Sequence, residues 1–172
     1  MPTREDITQS EVLRLMMEHL RAALNLLPTQ CVEAIEPSAP PKIARGGDFF
    51  ITVSPGDGFF VEGEQAAGNV TEEWTVTVTA YARVRLDYSD TDEKLLRDTS
   101  RGLLEAKRRI LAALVGRDLN TDDTPAATFL RQLLFAQRCG RPMYDEKETI
   151  GWISLDFGVH YDWDLTGQAA GA

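Results

Sequence analysis

Between residues 71 and 87 the chain reads TEEWTVTVTAYARVRLD, an alternation of apolar and polar residues with almost no slips. Trp74, Val76, Val78, Ala80, Ala82, Val84 and Leu86 share one parity, and Thr75, Thr77, Thr79, Tyr81, Arg83, Arg85 and Asp87 share the other. Side chains on a strand point alternately to its two faces, so this spacing predicts one dry face and one wet face. The run predicts a strand of about 12–15 residues, or about 40–50 Å at about 3.3 Å per residue. Ordinary strands have nearer five or six residues. A strand this long needs strand partners along its edges and an apolar cover for its dry face.

Two segments have the periodicity to supply that cover. Over about residues 8–26, Val12, Leu15, Met16, His19, Leu20, Ala23 and Leu27 follow helical spacing, with Thr8 or Ser10 as cap and Pro28 as terminator. A second helix is predicted from about 92 to 115. Asp90 or Thr91 would cap it, Leu96, Leu103, Ile110 and Leu114 form its stripe, Leu95, Leu104 and Leu111 widen it, and Gly116 closes it. Further strands are predicted around Cys31, across DFFITVS ending at Ser54, and across IGWISLDFGVHYDWDL. In the last, Ile153, Leu155, Phe157, Val159, Tyr161 and Trp163 alternate with Ser154, Asp156, Gly158, His160 and Asp162. The fold class expected is α+β: a mainly antiparallel or mixed sheet with a long β-hairpin or arm, and two amphipathic helices packed on one face. The other face would be left free.

At 172 residues a single domain over 1–172 is expected. Pro55-Gly56-Asp57-Gly58 reads as a type II turn, and about 55–70 as a projecting loop or the tip of a hairpin. FLRQLLFAQRC is ambiguous between helix and strand, about 118–149 reads as irregular, and 166–172 as a frayed tail.

Chemistry is sparse. Neither a nucleotide-binding loop, a nucleophile elbow nor a zinc-protease motif is present, so no cofactor and no catalytic residue is expected. DYSDTDE has the acid content of a calcium loop without its glycine or terminal glutamate, and a helix cap accounts for it. His19 falls on an apolar stripe, the place of a core or rim histidine. Asp156, His160 and Asp162 share one strand face, which is either a solvated surface or, in the alternative reading, the ligand set of a metal-dependent enzyme. The net charge of −9 argues against electrostatic binding to DNA or to an anionic membrane. No apolar run approaches the length of a membrane span, and the polar N-terminus is unlike a signal peptide. With only Cys31 and Cys139, idle thiols are expected over a disulfide.

The wet faces then become the interesting surfaces. Tyr81, Arg83 and Arg85 offer the residue types that anchor interfaces. Asp156 and Asp162 carry the complementary charge. Phe59 and Phe60, adjacent in a glycine-rich stretch, cannot both point into one local core if the segment is extended. These seven are the candidate subunit or partner contacts. Replacing Arg83 and Arg85 with glutamate should then block assembly and leave the monomer folded.

SEVLRLMMEHLRAAL, FFITVSPGDGFF, EEWTVTVTAYARVRLD, LLRDTSRGLLEAKRRILAAL and GWISLDFGVHYDWDL follow one another in an order that resembles the tail-terminator and head–tail joining (neck) proteins of long-tailed bacteriophages. The likeness is one of architecture along most of the chain and rests on no diagnostic motif. It implies a homo-oligomeric ring, usually six-fold, that caps the tail tube and joins it to the head–tail connector proteins. DNA would pass through the lumen without specific binding. The implied location is the virion, at the head–tail junction, after synthesis in the host cytoplasm. Another neck or tail component, a head-completion adaptor or the tube subunit itself, is the alternative within the same setting.

Overall fold

The computed structural model describes residues 9–34, 49–61, 69–83, 102–117, 119, 129–130, 134–145 and 150–164. Helix α1 (Gln9–Leu24) is followed by a 3₁₀ turn (Pro28–Gln30) and strand β1 (Cys31–Glu33). Next come β2 (Phe50–Phe60), β3 (Asn69–Arg83) and helix α2 (Leu103–Leu114). The chain closes with β4 (Phe129–Leu130), β5 (Phe135–Cys139), β6 (Met143–Asp145) and β7 (Ile150–Asp164).

The expected α+β class is what the molecule has: a mixed seven-stranded sheet ordered β1-β2-β3-β7, with β4, β5 and β6 lying in turn along the outer edge of β7. Only β1–β2 is parallel among these pairs. Strands β3 and β7 pair along their whole length, from Asn69 opposite Asp164 to Arg83 opposite Ile150. That extended register explains the 15-residue alternation of β3: each residue is matched by a β7 residue on the same face of the sheet. Ala80 faces Ile153, Val78 faces Leu155, Val76 faces Phe157 and Trp74 faces Val159, and all eight are buried in the main core with Ile51 and Val53 of β2. Helix α1 packs on α2, β1 and β2, and α2 on β3 and β7, so both helices cover this one face.

Several expectations are corrected. Helix α1 stops at Leu24, where Asn25 takes φ 54°, three residues before Pro28. Asparagine is among the few residues that adopt the left-handed conformation readily, and it ends the helix. Pro28 instead opens the 3₁₀ turn. The buried stripe of α1 includes Leu13, Met17 and Leu24, while Ala23 and Leu27 are exposed. Helix α2 begins at Leu103 after an extended Gly102, and the expected cap at Asp90 or Thr91 lies outside the described residues. Leu104, assigned to its apolar stripe, is exposed, but Gly116 closes the helix at φ 72° as expected.

Pro55–Gly58 is not a turn. Strand β2 runs through it to Phe60, and the register with β3 shifts between Pro55 and Gly58. Pro55 faces Val76 and Gly58 faces Trp74, so Gly56 and Asp57 together oppose Thr75: a β-bulge. Within FLRQLLFAQRC, Phe129–Leu130 form β4 and Phe135–Cys139 form β5, so the segment expected to be irregular carries three short strands on β7. The tail at 166–172 lies outside the described residues.

Candidate functional site: an exposed arm and a polar sheet face

The distal half of β2 is an arm. All six residues from Pro55 to Phe60 are exposed, on both parities, although one edge of the strand is bonded to β3. Phe59 and Phe60 are each 58% exposed and face Glu73 and Glu72, so they stand on opposite sides of the hairpin. The bulge sets the arm's course. Trp74, itself buried, donates its indole N–H to the Gly56 carbonyl at 3.2 Å. A Cβ on Gly56 would lie 2.9 Å from the Thr75 carbonyl oxygen, so the close approach of the two backbones requires glycine there.

The face of the sheet away from the helices has two regions. At one end Tyr81 and Ile150 form a small buried cluster with Phe50 and Trp152, and the Phe50 and Tyr81 rings meet edge-on at 6.4 Å. Tyr81, expected on a wet face, is only 3% exposed, and burial pushes its phenol above the ordinary value. Thr52, Ser54 and Thr79 on the same face are buried too, so the free, solvated face expected there is corrected.

Toward the arm the face becomes a ladder of cross-strand hydrogen bonds. Thr79 and Ser154 share one at 2.9 Å, and Thr77 donates to Asp156 at 2.8 Å. Beyond them Gln137, the residue bulged out of β5, accepts from Thr75 at 3.1 Å and donates to Glu73 at 2.9 Å. His160 Nε2 lies 3.3 Å from the same Glu73 carboxylate, and its ring meets Phe135 edge-on at 6.0 Å. Gly158 makes room for this crossing. A Cβ there would come within 2.4 Å of the Phe135 ring and 2.5 Å of Gln137 Nε2.

Among the seven candidates, then, Phe59 and Phe60 are displayed, Tyr81 is sequestered and Asp156 is bonded to Thr77. Arg83 and Asp162 have their backbones in β3 and β7, opposite Ile150 and Thr71. Arg85 lies outside the described residues. Asp156 and His160 are four residues apart on one extended strand, a separation of about 13 Å, and each has turned to a β3 partner. Among the described residues no three acidic, histidine or cysteine side chains converge as metal ligands. Both cysteines are free, Cys31 buried and Cys139 exposed.

The alternation never pointed to Gln137, Phe135, Glu73 or Gly158: Gln137 reaches Thr75 and Glu73 across more than sixty positions, and Phe135 comes to Gly158 and His160 from a separate strand. A glycine at 158 inside an apolar-polar alternation was the one available signal, since such a glycine marks a close approach.

No protein-family model matches the chain, and no curated protein matches it by sequence. Among solved structures it is similar to a chain of the virion of a native gene transfer agent particle, with TM-score 0.53 and 17% identity over 88% of this chain and 95% of that one. At that identity the likeness is one of fold, and it runs through nearly the whole of both chains.

Proposed function

We propose that the chain is a structural virion protein. It forms a ring at the head–tail junction, terminates the tail tube and joins it to the head connector, without enzymatic activity. The observation that carries this reading is the fold shared, over 88% of this chain, with a chain of a virion particle. The exposed arm with Phe59 and Phe60 supports it, because paired aromatics held in water on a strand are the residue type that anchors interfaces. The net charge of −9 suits a ring through which DNA slides without adhering.

The test is native mass spectrometry over a concentration series, with negative-stain imaging of the same samples and a binding assay with purified tails. Closed rings, of six copies, in solution or on tail ends are the expected result. Open filaments would move the assignment to a tube subunit. A stable dimer at all concentrations, with no binding to tails, would overturn the ring.

A further inference from the structure

Among the described residues the two outer edges of the sheet both lack a strand partner over part of their length, and they carry opposite charge. On one side is the β2 arm. Its outward backbone groups follow from two hydrogen bonds: Ala34 N–H donates to the Val53 carbonyl, and Val61 N–H donates to the Thr71 carbonyl. Successive residues of a strand direct their backbone groups to opposite edges. Val53 therefore points outward toward β1 and Val61 inward toward β3. Between them Phe60 and Gly58 point outward, and so does Pro55, which has no N–H to leave unpaired. Asp57, exposed in the bulge, has no ion-pair partner among the described residues.

On the other side is β5, whose residues 136–139 are all exposed and which pairs only with β7 among the described residues. Gly140 N–H donates inward to the Ser154 carbonyl, so Cys139 directs its own backbone groups outward. Arg138, and Arg141 just beyond the strand, are exposed and make no ion pair among the described residues. The edges also lie level. Asp57 sits in the row of Thr75 and Gly158, and Arg138 in the row of Thr77 and Asp156, about two residues further along the strands. The faces match as well. Phe60 shares the helix-side face with Glu72, while Ala136 and Cys139 share it with Phe157 and Leu155.

We propose that the β2 arm of one copy adds to the β5 edge of the next, with Asp57 against Arg138 and Phe60 on the same face as Ala136 and Cys139. This rests on the ring reading above and names its contact. The occupant is a second copy through its β5 edge, since two arms brought together would set Asp57 against Asp57. Because the two patches differ, the contact is head-to-tail and propagates from copy to copy, closing where the rotation allows.

A charge swap tests it, read as the concentration for half-assembly in native mass spectrometry. D57R and R138E should each raise that concentration at least tenfold, and the double variant D57R/R138E should restore it. Both sites are exposed, and unchanged circular dichroism would verify folding. In the wild-type chain, alkylation of Cys139 by N-ethylmaleimide should slow in the assembled fraction relative to the monomer. Rings that form normally in both single variants with Cys139 fully reactive would overturn the edge contact and leave the ring reading intact. A double variant no better than either single would overturn the pairing of these two residues. A wild-type chain monomeric at the highest soluble concentration would overturn the contact as a self-assembly edge, and the tail-binding assay would then decide the ring reading separately.

Discussion

At the scale of single residues, glycines and unusual hydrogen-bond partners shape the distal part of the sheet. Gly158 lies beneath Phe135 and Gln137, and Gln137 in turn bridges Thr75 and Glu73. G158A should therefore force both side chains to move and break that bridge. The expected destabilisation is about 1–3 kcal/mol, the usual cost of overpacking a filled site, measured as a lowered urea midpoint at unchanged slope. The thiols illustrate how little composition says at this scale. Cys31, fully buried behind α1, has its thiol pushed up to about 11 by burial, while Cys139 stands in solvent on an edge strand. Nothing local to either cysteine distinguishes them; only the fold does.

At the scale of elements, the helices and the long strands obey their periods, and the departures come from tertiary neighbours. The bulge in β2 depends on the Trp74 indole reaching the Gly56 carbonyl. W74F should cost at least about 1 kcal/mol, from the lost hydrogen bond and the space left in the core. It should also speed amide exchange in the arm, residues 56–60, more than in the rest of β2. In α2, Glu105 accepts hydrogen bonds from Arg108 and Arg109, which hold its carboxyl down at about 2 from an ordinary 4.5. A carboxyl lowered on folding contributes stability that is present above about 4.5 and lost as the pH falls through about 2. The stability difference between the wild type and E105Q should accordingly shrink over that window in denaturant titrations at stepped pH. Two residues of the first helix show why a stripe can be read and still be misplaced. Leu13 and Leu15 both flank the Val12–Met16–Leu20 line, and packing against the sheet and α2 buried the first and left the second half-covered.

At the scale of the whole molecule, the design is a helix-covered sheet from which one hairpin end projects. The main core would be unaffected by replacing the two arm phenylalanines, which lie outside it. F59S/F60S should change unfolding stability by no more than about 0.5 kcal/mol, as exposed substitutions do. The same variant should lose ring formation in native mass spectrometry. Retained rings would remove these two residues from the assembly contact.

What the amino-acid sequence determined by itself was local and periodic. The alternation of residues 71–83 demanded a long two-faced strand, the helical spacing around Val12 and Ile110 demanded two covers for its dry side, and Phe59-Phe60 announced a pair that could not both be buried. Each of these follows from the geometry of one strand or one helix, with no knowledge of neighbours. What only the tertiary structure decided was register and edge. Pro55–Gly58 reads locally as a turn, and it becomes a bulge because β3 continues opposite it and Trp74 holds it there. Tyr81 has the parity of a wet face, yet it is buried because Phe50, Ile150 and Trp152 arrive beside it from β2 and β7. Phe129–Leu130, Phe135–Cys139 and Met143–Asp145 are too short for a period to choose a structure, and the long outer edge of β7 makes them strands. Gln137 meets Thr75 and Glu73 across more than sixty residues, and no local spacing encodes that contact.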